Sequence, residues 1–232
     1  MAGATKLDVY NLALSYLDLS ARVQSVTEQS AQAGYCRAMY DRARMLVLEQ
    51  CYWSFSTIAT ALPLLLDQQT ITIASDIVYP GWRYVYSRPV TCLKAQAVTT
   101  QYGLRAYPTL GYYWGRAGSS VQWGRFRPPW IETLDQVNEP AGNAIDILTD
   151  QDNAWLVYTV DNQNVSIWPE VMIDCVAWQL AVLIAGPASA NQDAKQMAIK
   201  MAGLSLSRAL AQNLNEQQED PYPESPSIQA RL

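Results

Sequence analysis

The sequence predicts an α+β fold: an antiparallel helical bundle built from N- and C-terminal helices, with an inserted β-rich domain and an extended C-terminal arm. Three observations predict it. Apolar residues recur at steps of three and four near both ends of the chain, the period changes to two between them, and prolines break any regular element after Asn215. Helices separated by a β segment are expected to bury their apolar faces against each other. Residues 1–56 and 165–214 then form the bundle, 57–164 the inserted domain with a projecting tip over about 99–140, and 215–232 the arm.

Residues 5–19, TKLDVYNLALSYLDL, place Leu7, Tyr10, Leu14 and Leu17 on one stripe and put Thr5 and Asp8 at capping-box spacing. A second helix is expected from near Ser30 to about Cys51, with Ala33, Cys36, Tyr40, Ala43 and Val47 facing inward. Its opposite face carries Arg37, Asp41 and Arg44, read as a solvated or subunit-facing surface with intrahelical pairs.

From Tyr52 to Val98 the period is two: TITIASDIVY and WRYVYS alternate, punctuated by Pro63, Pro80-Gly81 and Pro89. Trp82, Tyr84 and Tyr86 are expected on one face of a strand, packed against the core or a neighbouring subunit, with Pro89 to Leu93 turning the chain. Residues 99–130 hold five glycines and three prolines among tyrosines and tryptophans, which predicts loop or hairpin structure at a surface. Residues 144–160 read as strand, turn and strand, the turn supplied by Asp150 to Asn153.

Helical period returns at Trp168. Pro169 suits the first helical position, Glu170 the first turn, and Gly186-Pro187 a stop. The apolar residues between them run nearly all round, so this helix is expected to be the most buried. A fourth helix follows from about Asn191 to Leu214, with Met197, Met201 and Leu204 on one face.

The chain contains no histidine, which removes Ser-His-Asp and Cys-His nucleophiles, histidine general bases and most zinc sites. No catalytic residue, cofactor or metal is expected. Asp146, Asp150, Asp152 and Asn153 lack the glycine and distal glutamate of a calcium loop and are read as a turn. The glycines at 111, 115, 118 and 124 match neither a dinucleotide fingerprint nor a phosphate loop. Glu132 and Asp135 form a carboxylate pair of the kind a hydrolase could use, with nothing in the sequence that marks them for it.

The N-terminus shows no signal-peptide pattern, and the four cysteines have no short-range pairing, so a reducing compartment is expected. Cys36 and Cys51 lie fifteen positions apart on one predicted helix, about 22 Å at the usual rise and too far for a disulfide. The longest apolar run, Val171 to Gly186, is interrupted by Asp174 and Gln179 and is shorter than the roughly 20 residues a bilayer requires.

Net charge is −5, unevenly spread. Between Asp76 and Glu132 lie Arg83, Arg88, Lys94, Arg105, Arg116, Arg125 and Arg127 with no acidic residue; the rest has 9 basic against 21 acidic residues, or −12. Arginines among aromatics suit single-stranded nucleic acid, where bases stack and phosphates pair with guanidinium groups, and they equally suit a protein interface. Overall acidity, with no RNP-like or helix-turn-helix pattern, favours the interface. The candidate tip residues are Arg105, Tyr112, Tyr113, Trp114, Arg116, Trp123, Arg125 and Arg127.

Several stretches then fall in a recognisable order. They are NLALSYLDL, EQSAQAGYCRAMYDRARMLVLEQCYWSFS, WRYVYSRPVTCLKAQAV with its Pro-x-x-Cys-Leu turn, ILTDQDNAWLVYTV, WPEVMIDCVAWQLAVLIA and the closing SPSIQARL. In order and spacing the chain resembles the head-to-tail adaptor, or tail tubular protein A, family of short-tailed bacteriophages. Residues 99–140 look longer and more aromatic than in a minimal member.

The resemblance implies a non-enzymatic structural virion protein, assembled in the host cytoplasm and resident in the tail. Copies would form a dodecameric ring joining the portal protein to the tail nozzle protein, with a channel for double-stranded DNA used in genome retention and ejection. The arm, with Pro221, Tyr222, Pro223, Pro226, Ile228 and Arg231, would grip the portal and become ordered on binding it. The tip would face the nozzle or tail fibres, and Trp82, Tyr84 and Tyr86 would form the subunit-packing strand. The alternative is a nucleic-acid-binding module using the basic aromatic insertion.

Overall fold

A computed structural model describes residues 4–20, 22–51, 53–70, 79–100, 129–134, 144–188 and 191–216. Among these the chain is mixed helix and sheet, with four α-helices and two antiparallel sheets.

Helix α1 (Lys6–Tyr16) begins at the expected capping box: the Asp8 amide donates to Thr5 Oγ1 at 3.3 Å, and the Thr5 amide to Asp8 Oδ2 at 2.8 Å. Helix α2 (Ala31–Gln50) is capped by Ser30, whose Oγ accepts from the Ala33 amide, and it buries Ala33, Cys36, Tyr40, Ala43 and Val47 as expected. Asn11 bonds both backbone groups of Val23, at 2.9 and 3.0 Å, and so ties the linker between the helices to α1.

Helix α3 (Glu170–Ile184) is apolar on nearly every side and contacts α1, α2 and α4 (Gln192–Glu216). Pro169 stands one position earlier than expected. Its ψ of 149° is extended, so it is the N-cap and Glu170 opens the helix. Asp174 is accommodated in this apolar run by Tyr16, whose hydroxyl donates to Asp174 Oδ1 at 2.6 Å while its ring stacks on Trp178 at 3.7 Å.

The inward stripe of α4 differs from the expected one. It is formed by Ala194, Ala198, Ser205 and Ala209, whereas Met197 and Leu204 are exposed and Met201 is half-buried. Small side chains allow the close approach to α3, and the large ones are displaced to the flanks of that seam.

One sheet has the order β1 (Thr57–Ala61), β7 (Trp155–Val160), β4 (Cys92–Thr99). The other has the order β2 (Leu64–Asp67), β3 (Tyr84–Ser87), β6 (Ile145–Thr149), β5 (Trp130–Leu134). The strands on either side of Asp150 to Asn153 therefore belong to different sheets, and this turn carries the chain from one to the other. Asn153 takes the left-handed φ of 50° that the corner needs, a conformation asparagine tolerates. The strand expected within TITIASDIVY falls on residues 71–78, outside the described residues. The turn after β3 closes where the Cys92 amide donates to the Pro89 carbonyl at 2.9 Å, and β4 starts at once.

Buried apolar side chains form three clusters. The largest draws on residues 9–53 and 165–209; the second contains Tyr84, Tyr86, Val98, Ile147, Leu156 and Tyr158; the third contains Tyr79, Val85 and Leu148. Strand β3 thus has buried residues on both faces, Tyr84 and Tyr86 on one and Val85 on the other.

Candidate functional site

Strand register places the roots of two long segments at one end of the sheets. In the four-stranded sheet Asp67 is opposite Tyr84, Tyr84 opposite Thr149, and Thr149 opposite Trp130. In the other sheet Ala61 and Thr99 both stand opposite Trp155. The corner after Thr149 joins these two rows. The chain leaves this end at Thr100 and returns at Pro129, and it leaves at Thr70 and returns at Tyr79. At the far end of the three-stranded sheet β1 at Thr57 and β7 at Val160 connect to the helical segments, and β4 at Cys92 is entered from the turn after β3.

Side chains brace the roots. The buried Gln68 donates from Nε2 to the carbonyls of Tyr79 and Trp82, at 2.9 and 2.7 Å, and its Oε1 accepts from the Tyr79 amide at 3.0 Å. The Tyr79 hydroxyl lies 2.7 Å from the Leu134 carbonyl oxygen and 2.9 Å from Asp146 Oδ2, so its proton is shared between them. Thr149 Oγ1 donates to the Pro129 carbonyl at 2.9 Å. Tyr86 holds the corner from inside: its hydroxyl donates to the Gln151 carbonyl at 2.8 Å and accepts from the Ala154 amide at 3.4 Å.

The aromatic ladder is therefore divided. Tyr84 and Tyr86 share a face, with ring centroids 6.1 Å apart, and are buried in this chain's own core rather than offered to a neighbour. Trp82 is half-buried and packs with Tyr79, Val85 and Leu148 on the other side. The expected alternation fails at Trp82 because the chain turns just before it. Gly81 has φ of 93°, the Trp82 carbonyl accepts from Gln68, and extended backbone begins only at Tyr84.

The tip residues Arg105, Tyr112, Tyr113, Trp114, Arg116, Trp123, Arg125 and Arg127 lie outside the described residues, as do the arm residues Pro221, Tyr222, Pro223, Pro226, Ile228 and Arg231. The three described cations of the basic stretch are all engaged within the chain. Arg83 stacks 4.6 Å from the Tyr84 ring with Nε 3.4 Å from Asp67 Oδ1. Arg88 Nε lies 3.0 Å from Glu132 Oε1, and Lys94 Nζ donates to the Glu49 carbonyl at 2.7 Å.

Glu132, one half of the carboxylate pair, is thus held by an arginine, and Asp135 lies outside the described residues. Asp146 is buried beneath Tyr79, while Asp150 accepts the Arg83 amide at 2.9 Å. Among the described residues no group of three or more histidine, cysteine or acidic side chains is placed to hold a metal ion.

Arg44, expected on a solvated face, is instead buried, with 2% of its surface exposed. Nε and one terminal nitrogen grip the two carboxylate oxygens of Asp161, at 2.8 and 2.9 Å, and the other terminal nitrogen meets Asp41 Oδ1 at 2.7 Å. Burial opposes the charge, and the Asp161 and Asp41 carboxylates offset it, leaving the guanidinium more firmly protonated than usual. The signal in the sequence is Tyr40, four positions earlier on the inward stripe: one helical turn places Arg44 at that stripe's edge.

All four cysteines are free and buried. Burial pushes Cys36 and Cys175 up to about 11 and Cys51 up to about 12, and it raises Cys92 as well. The native protein should therefore react slowly with a disulfide reagent such as dithionitrobenzoate at pH 8. Unfolding in denaturant should release all four thiols at once; a fast native equivalent would contradict the packing described.

Compared with models of known protein families and with curated proteins, the chain matches none.

Proposed function

We propose that the chain is the subunit of a head-to-tail adaptor ring in a short-tailed bacteriophage, joining portal to tail nozzle around the path of the DNA. The observation that carries this reading is the ordered series of motifs from NLALSYLDL to SPSIQARL over some two hundred residues. In this account the helices are an antiparallel bundle made by the two ends of the chain, the strands are an inserted domain, and residues 215–232 are an extended arm. It is supported by the sharing of one apolar cluster between residues 9–53 and 165–209, while the intervening strands supply the other two. The roots of segments 71–78 and 101–128 lie at the end of the sheets leading away from the helices, which suits contacts made at opposite ends of a subunit; residues 130–134, within the range expected for the tip, are instead strand β5, which ends at Leu134, opposite Ile145, at the other end of the sheet.

The role assigned is mechanical and not enzymatic. A ring joins surfaces and leaves a channel, so its working groups are interface residues. The portal would take the arm, the nozzle or fibres would take the basic tip, and passing double-stranded DNA would be met without sequence readout. The nucleic-acid-module alternative has less support, because Arg83, Arg88 and Lys94 are engaged within the chain.

Deleting residues 217–232 should leave the fold intact, since the largest cluster ends at Ala209, and should abolish portal binding. Reversing Arg125 and Arg127 to glutamate should block nozzle attachment and spare portal binding. The opposite pattern in either experiment overturns the assignment.

A further inference from the structure

Between the helices and the sheets the chain crosses twice, at Trp53 to Thr57 and at Val160 to Val165. The two crossings run side by side. Thr57 is paired with Thr159, and the Ser56 hydroxyl donates to the Val160 carbonyl, so the covalent link is a narrow two-stranded ribbon. Such a ribbon can flex and twist unless contacts on its flanks prevent it.

Trp53, Phe55 and Val165 seat the helix end of the ribbon in the helical cluster, and the contacts that reach from the helices to the sheets beyond it are mainly polar and reciprocal. The helices supply Arg44 to Asp161, at the sheet side of the ribbon, through the bidentate pair. The sheet supplies Lys94 of β4 to the Glu49 carbonyl in the last turn of α2, a turn that contains no basic residue of its own. A cation there satisfies a carbonyl that the helix leaves open and complements the negative end of its dipole. Asn162 adds a bond from its side chain to the Phe55 carbonyl at 3.2 Å, and Leu93 is the main apolar side chain of β4 on the helical cluster. Interfaces of this small, polar kind permit relative motion of the parts they join.

We propose that the Arg44–Asp161 pair and the bond from Lys94 to the Glu49 carbonyl form a two-point electrostatic latch that sets the angle of the sheets against the helices, with the ribbon at 56–57 and 160–164 as the hinge. The two contacts lie on different elements, α2 toward the β7 exit and β4 toward the α2 terminus. Arg44 resists screening because it is buried, whereas Lys94 is exposed. The latch therefore has a strong point and a weak one, and a load on the far end of the sheets would release Lys94 first.

The test is a distance distribution between spin labels on cysteines introduced at Asp152, in the exposed corner, and Ser207, exposed on α4. The four native thiols are buried, which directs labelling to the new sites. The otherwise unaltered protein should give one narrow population. The apolar pair Arg44→Met with Asp161→Leu, combined with Lys94→Met and folded by far-UV circular dichroism, should lose it and show a broad or second population. Lys94→Met alone changes an exposed side chain, so it keeps the test open should the apolar pair fail to fold, and it should broaden the distribution measurably. A single narrow population retained in the folded variants would overturn the latch.

Discussion

Tyr86→Ala is expected to destabilise the protein by about 3–5 kcal/mol, the range for deleting a large buried aromatic side chain. The ring is 1% exposed, and its hydroxyl bonds the Gln151 carbonyl and the Ala154 amide across the corner where the chain changes sheets. The substitution opens a cavity in the cluster shared with Ile147, Leu156 and Tyr158 and leaves those two backbone groups without their partner. Urea unfolding should show the loss in the midpoint, and Tyr86→Phe, which keeps the ring, should recover most of it. This also decides between two meanings of the aromatic ladder. A folded Tyr86→Ala protein of unchanged stability that had lost DNA binding would restore the stacking-platform interpretation.

Asp161→Ala should cost about 3 kcal/mol, at the lower end of what breaking a buried pair costs because the carboxylate is 27% exposed. The loss arises less from the missing attraction than from leaving a buried guanidinium with one carboxylate partner. That partner, Asp41, is 60% exposed, and Asp41→Ala should cost less than about 1 kcal/mol. Both carboxylates approach Arg44 at similar distances, 2.7 and 2.8 Å. Equal losses in denaturant unfolding would therefore mean that proximity, and not burial and bidentate geometry, decides what each carboxylate contributes.

The elements legible in the sequence are those whose local signals agree with their tertiary packing. Thr5, Asp8 and Ser30 are caps with a local hydrogen-bonding reason, and the stripe from Ala33 to Val47 follows one face of one helix. Where packing decides, the pattern misleads. Met197 and Leu204 have the spacing of a core face, but the close approach of α4 to α3 selects the small residues beside them. Trp82 continues the alternation of Tyr84 and Tyr86 in the sequence, yet a turn at Gly81 precedes it and sends it to another cluster.

Arg44 shows the same limit for charge. A guanidinium one turn after a buried tyrosine can point to solvent or into the core, and the deciding partner, Asp161, is 117 residues away. The corner at Asp150 to Asn153 is readable as a turn because asparagine and aspartate favour it locally. Its passage between two sheets depends on long-range pairing of β6 with β3 and β5, and of β7 with β1 and β4, which no local pattern encodes.

An adaptor subunit assembles on its portal. Sedimentation of the purified chain, alone and mixed with the portal ring of its own phage, followed by negative-stain imaging of the heavy fraction, tests it most directly. A slow monomer that becomes a ring seated on the portal is the predicted result. A chain that stays slow and leaves the portal bare would contradict the adaptor account.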